Sequence, residues 1–223
     1  LNRERSMSKE TSTWHSHRLG RKATLARWGD IGRPVLLFPT AAGDALECER
    51  FHVIDVLAPQ LEAGRVKLYS IDSIAGMVWL QEDNSTRRGG EIQNQFDDFL
   101  YNEVVPAIRV DCRTSDLEIV VAGASIGAFN ALAAICRHPD VFSHALCLSG
   151  TYDPLRFLEG EVTKDLFHSS PLHFMARMDD VAHLERLRRR FILLAHGQGR
   201  WEDPSQSWRV ADLLGSHGIP NRV

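Results

Sequence analysis

Five short apolar runs, "PVLLF" (34–38), "VKLYSI" (66–71), "LEIVVA" (117–122), "HALCLS" (144–149) and "RFILLA" (190–195), are separated by stretches long enough for a helix and its connections. They are rich in β-branched residues and show little polar alternation, the pattern of strands buried on both faces. Between them Ile92, Phe96, Phe99, Leu100 and Val104 recur at helical spacing, as do Trp208, Ala211 and Leu214. Strands joined through crossover helices lie parallel, so the alternation predicts an α/β fold with a mostly parallel central sheet between layers of helices. The amino-terminal stretch "TWHSHRLGRKATLARWGD" (13–30) is different. There Leu19-Gly20 marks a turn between two strand-like segments, which predicts an antiparallel hairpin.

A chain of 223 residues, 43% hydrophobic, can bury one sizeable core, and no repeat or low-complexity linker divides it. A single domain over 1–223 is expected. Its net charge of −3, with Lys and Arg scattered, offers no basic stripe for nucleic acid and no polybasic patch for a membrane. No apolar run approaches the roughly 20 residues of a membrane span, and "LNRERSMSKETSTWHSHRLG" has no signal-peptide core. Cys48, Cys112, Cys136 and Cys147 form no CxxC pair and read as free thiols. A cytoplasmic protein is expected.

The chemistry is carried by "VAGASIGAFNALAAICRHPD" (121–140). Chance supplies a GxSxG in roughly one chain of this length in fifteen. Here, however, the motif follows a buried-strand run and precedes an apolar segment that Pro139 ends. That context suits a nucleophile elbow: Gly123 and Gly127 lack the β-carbons that would collide as the backbone doubles back, and Ser125 is left exposed above the sheet. A second piece is "LLFPTAAGDALECERF" (36–51), a strand running into small residues. Thr40, Ala41, Ala42 and Gly43 form a candidate oxyanion loop whose amide would act with that of Ile126. The competing interpretation is an ordinary loop with Asp44 as helix cap.

The segments "WHSHRLGR", "VLLFPTAAGD", "LYSIDS", "GASIGAFNAL", "HPDVFSHALCLSGTYD" and "HGQGRWEDPSQSWRVADLLGSHGIPNRV" resemble the putative-esterase branch of the α/β-hydrolases, which includes S-formylglutathione hydrolases and mycobacterial mycolyltransferases. The resemblance covers nearly the whole chain. It implies a three-layer α/β-hydrolase fold and hydrolysis of a small-molecule carboxylic ester or thioester, or acyl transfer, through a serine nucleophile with no metal and no cofactor. Residues 80–93 and 151–186 are expected as cap-like insertions, with Trp79, Trp201 and Phe167 as candidate pocket walls, and Gly76 in an exposed loop.

In this fold the triad runs Ser, acid, His along the chain. Relatives often carry Asp three residues after the position of Gly197, where this chain has Arg200; the acid must come from "QGRWEDP" (198–204), as Glu202 or Asp203. Asp203 precedes Pro204, as a helix N-cap does, and this favours Glu202. No base is visible: His217 sits in a helix's last turn, where the dipole accounts for it, and the family's His follows one further strand. The sequence is therefore read as C-terminally incomplete, lacking the last strand and helix and inactive as it stands, with a sheet edge and apolar face open to pairing into a homodimer. The alternative is a non-catalytic binding protein on the hydrolase fold.

Overall fold

The computed structural model describes residues 8–81 and 83–223. The chain opens with the expected hairpin, Lys9–Ser16 (β1) and Arg21–Trp28 (β2), turned at Gly20, whose φ of 62° favours glycine. Arg33–Phe38 (β3) leads through Glu47–Arg50 (α1) and Val53–Glu62 (α2) to Val66–Ile71 (β4). Ile74–Val78 (α3) and Thr86–Phe99 (α4) follow. Pro106 has no amide to offer the carbonyl four residues back, and a π-helical turn over Leu100–Val104 joins α4 to Val105–Asp111 (α5). Ile119–Ala124 (β5), Ile126–Arg137 (α6) and Phe142–Leu148 (β6) form one strand–helix–strand unit, α6 lying on β3, β5 and β6. Short helices Lys164–Ser169 (α7), Pro171–Phe174 (α8) and Val181–Leu187 (α9) precede Phe191–Ala195 (β7). Pro204–Ser216 (α10) ends before Gly218, φ 69°, and Asn221–Arg222 (β8) closes the described chain.

The eight strands make one sheet in the order β1-β2-β4-β3-β5-β6-β7-β8. Pairs β1/β2 and β2/β4 are antiparallel and all others parallel. The α/β-hydrolase architecture is thus present, with one amendment: the last strand is not missing but stands as two residues, Asn221 opposite Ile192 and Arg222 opposite Leu193. Ile219, 2% exposed, is buried beside α10 and directs the chain onto the sheet. Register brings Phe38 level with Gly123, Ala124 with Leu148, and Leu148 with Ala195. The loops leaving β3, β5, β6 and β7 therefore converge on one edge.

The main core lies between the sheet and α4, α5, α6 and α10; a smaller one lies under α1 and α2, around Trp28, Ile54 and Leu68. Burial on both faces does not hold for every apolar run. Leu146 and Leu148 of β6 are 38% and 42% exposed and Phe191 of β7 is 38% exposed, because α2 stops short of these strands. A recess of about 430 Å³ opens there between α2 and the sheet, lined by Val53, Val56, Val120, Ala122, Leu146 and Leu148. The expected insertions are largely helical and touch each other: Asn84 Nδ2 donates to Phe157 O at 2.7 Å and Thr86 Oγ1 to Glu161 O at 2.7 Å. Cys48, Cys136 and Cys147 are buried and Cys112 is half-buried; all are free thiols. No helix among the described residues is long and apolar enough to cross a membrane.

Candidate active site

A single residue turns the chain from β5 into α6. Ser125 has φ 57° and ψ −121°, a conformation that costs a non-glycine residue about 1–3 kcal/mol and persists only where its surroundings enforce it. Here they do. The Ser125 amide donates to Leu148 O at 3.0 Å, and its carbonyl accepts from Ala128 at 3.1 Å and Thr151 at 3.3 Å. A β-carbon on Gly123 would stand 2.3 Å from the Gly127 carbonyl, and one on Gly127 would stand 2.3 Å from the carbonyl of Phe38. Both glycines are therefore required for the helix to sit down on the sheet edge. Ile126 opens α6, so its amide has no acceptor within the helix.

The loop after β3 lies against this turn. A β-carbon on Gly76 would meet Ala41 Cα and Ile126 Cγ2, each at 3.1 Å, so Gly76 is packed behind the elbow rather than exposed as expected. The helix α3 that carries it is short and was not visible as a period in the sequence. Of the four loop residues, Thr40 is engaged elsewhere: its amide and its hydroxyl both donate to the Glu47 carboxylate, each at 2.8 Å. Gly43 donates its amide to Thr40 O at 3.0 Å. Ala41 and Ala42 donate to no acceptor among the described residues, which leaves their amides as the loop's available donors. Asp44 does not cap α1 at its first residue; it accepts from Leu46 N at 2.8 Å and pairs with Arg50.

The loop after β7 supplies two carboxylates in different circumstances. Glu202 accepts a hydrogen bond from Ser149 Oγ at 2.7 Å through Oε1. Asp203 caps α10, accepting from Ser205 N at 3.2 Å and from Ser205 Oγ at 2.5 Å, and it pairs with Arg156 at 2.5 Å. The bond from Ser205 holds the Asp203 carboxyl below its ordinary value, the Arg156 pair adding to it against the opposing effect of burial. Both line a recess of about 300 Å³ together with Ser125, His196, Phe157 and Trp201. Trp201 is 87% exposed, with the Arg200 guanidinium 4.6 Å from its ring centroid. Trp79 does not reach the recess; it is buried against Phe129 and Phe157. Phe167 packs at the main core's edge. A larger recess of about 380 Å³ lies between β1, β2 and α5, but its charges are already partnered, Arg27 with Glu10 and Glu103 with Trp14 Nε1.

No imidazole hydrogen-bonds Ser125 or Glu202 among the described residues. His196 borders the recess with Nδ1 3.0 Å from Gly197 O. His217, at the end of α10, is tied to Met175 O at 2.7 Å. His138 pairs with Asp97. Sequence reasoning missed Glu47, Ser149, Arg156 and Phe157; the Ser149-Gly150 turn was the one visible hint.

The family model described as "Putative esterase" matches residues 73–213, more than half of the chain. The chain belongs to this esterase family. The matched segment contains the turn at Ser125 and both carboxylates but not the loop after β3. No curated protein sequence matches it. Among solved structures it is similar to a ferulic acid esterase, with 17% identity, a TM-score of 0.73, and coverage of 97% of this chain and 88% of that one. It is similar to the fluorophosphonate-binding serine hydrolase FphF of Staphylococcus aureus at 16% identity and TM-score 0.68, covering 97% and 89%. An S-formylglutathione hydrolase from Agrobacterium tumefaciens matches at 13% identity and TM-score 0.65, covering 98% and 88%. At these identities the likeness is one of fold alone, the α/β-hydrolase fold.

Proposed function

We propose that this family member is a serine hydrolase that cleaves a small carboxylic ester or thioester through an acyl-enzyme on Ser125. The observation that carries this reading is the left-handed Ser125 at the junction of β5 and α6, held there by close approaches that only Gly123 and Gly127 permit. In the first half-reaction Ser125 Oγ bonds to the substrate carbonyl carbon as its proton passes to a base. The bond to the alcohol or thiol then breaks, and the leaving group departs with that proton. Water repeats the sequence in reverse and releases the acid. The amide of Ile126, together with that of Ala41 or Ala42, receives the charge that develops on the carbonyl oxygen. Glu202 is the carboxylate that would orient an imidazole base, although no described histidine hydrogen-bonds to it, and Asp203 caps α10.

A fluorophosphonate probe tests the nucleophile: the wild type is labelled and Ser125→Ala is not. Equal labelling of the two ends the reading. A second reading, a binding protein on the same fold, is favoured by the absence of any described imidazole in contact with Ser125. Turnover of p-nitrophenyl acetate decides against it, and added alcohol acceptors that divert the acyl group would identify acyl transfer. The exposed apolar face of β6 and β7 supports self-association into a homodimer, which sedimentation would detect. The free thiols fit a reducing, cytoplasmic setting.

A further inference from the structure

The turn that follows β6 touches both the elbow and the acid loop. Ser149 has φ 46°, the left-handed region that a residue with a side chain seldom adopts. Its amide donates to Ala195 O at 2.7 Å, tying it to the end of β7 where the acid loop begins. Its hydroxyl donates to Glu202 Oε1 at 2.7 Å. Its neighbours bind the nucleophile: Leu148 O accepts from the Ser125 amide at 3.0 Å, and the Thr151 amide donates to Ser125 O at 3.3 Å. Between them, Gly150 lies so close over Tyr152 that a β-carbon would be 2.1 Å from the ring, and Tyr152 is fully buried. The turn is thereby pressed onto a buried ring.

We infer that Ser149 is a positioning residue for catalysis, holding Glu202 so that Oε2 is turned to the recess shared with Ser125. This rests on the roles assigned above to Ser125 and Glu202. With Oε1 held, rotation of the Glu202 terminal carboxylate is restricted and one oxygen remains to receive an imidazole N–H. Glutamate has one more rotatable bond than aspartate and is harder to hold on a loop, so an oriented donor matters more here.

The test is a double-mutant cycle on p-nitrophenyl ester turnover by the full gene product. Ser149→Ala is expected to lower kcat about 10-fold or more with KM within about twofold, since the loss falls on the proton-transfer step and not on binding. Ser149→Gly, which relieves the backbone, should lose activity similarly while its Tm stays level or rises. In a Glu202→Gln background, Ser149→Ala should cost little further, because the two residues act as one unit. The inference is overturned if Ser149→Ala and Ser149→Gly keep wild-type kcat, or if the loss is undiminished in the Glu202→Gln background. Wild-type turnover by Glu202→Gln overturns it together with the acid assignment. Labelling of Ser125→Ala by fluorophosphonate sinks the nucleophile reading separately, by a measurement that Ser149 does not enter.

Discussion

Arg156 holds Asp203 in an ion pair of 2.5 Å, while the neighbouring Glu202 has a serine hydroxyl as its one side-chain hydrogen-bond partner among the described residues. One carboxylate is already committed to a cation and a helix end, and the other is left able to orient an imidazole. Glu202→Gln should therefore lower kcat by roughly two to four orders of magnitude with little change in Tm. Asp203→Asn should alter kcat by less than about threefold, since Asn caps a helix about as well as Asp. Steady-state kinetics of the two variants check this, and an exchange of the two results would make Asp203 the acid.

Gly123→Val and Gly127→Val should each reduce stability by more than about 3 kcal/mol or prevent folding, because the added β-carbon meets backbone at 2.3 Å. Gly76→Val belongs with them: its β-carbon would press on Ser73 Oγ, Ala41 and Ile126. Gly199→Ala meets nothing within 4 Å and should change Tm by no more than a degree or two. Soluble yield and thermal melting of the four variants distinguish these outcomes.

Glu47 is 8% exposed and accepts both hydrogen bonds that Thr40 donates. Glu47→Ala should release the loop that carries Ala41 and Ala42, lowering kcat by about 10-fold or more and stability by about 1–3 kcal/mol. Fluorophosphonate labelling should slow in proportion. An unchanged kcat would remove this loop from the oxyanion site.

Away from the site, Lys67 is nearly buried and donates to Asp111 at 2.7 Å, as does Tyr69 at 2.5 Å. Burial disfavours charge on Asp111, but the bonds from Lys67 and Tyr69 outweigh it and keep the carboxyl below its ordinary value of 3.8. A depressed carboxylate contributes stability that is complete above its unfolded value and disappears as pH falls through the folded one. The Tm difference between wild type and Asp111→Asn should accordingly be largest near neutrality and shrink below about pH 4. Melting curves across that range test it; a gap that widens in acid would be contrary.

The strands and the elbow were legible because each is written in consecutive residues: an apolar run, a glycine on either side of Ser125, a small-residue helix. The hairpin showed itself through Leu19-Gly20. What did not show was anything built from residues far apart in the chain. Arg156 reaches Asp203 and Ser149 reaches Glu202 across the fold, and although Ser149-Gly150 reads locally as a turn, nothing near either residue names the carboxylate it meets. Thr40 looked like a donor to substrate because its neighbours are small, yet Glu47, seven residues further on, takes its amide. Gly76 was misplaced because α3 is too short to display a period. The apolar runs of β6 and β7 suggested cover on both sides, but composition reports only that a face is apolar, not that anything lies on it.

The placement of the four cysteines makes the protein a reporter of its own opening. Cys112 is half-buried beside Tyr69, whereas burial pushes the Cys48 thiol up to about 11, Cys147 up to about 12 and Cys136 still higher. Thiolate is the reactive form, so a chromogenic disulfide reagent should take one thiol quickly and wait for the others. Cys48 belongs to the layer beneath α1 and α2, and Cys136 and Cys147 to the main core. Three successive phases are expected, timed by surface access, by loosening of that layer and by unfolding of the whole. If all four thiols react in one phase in native buffer, the two cores do not open independently.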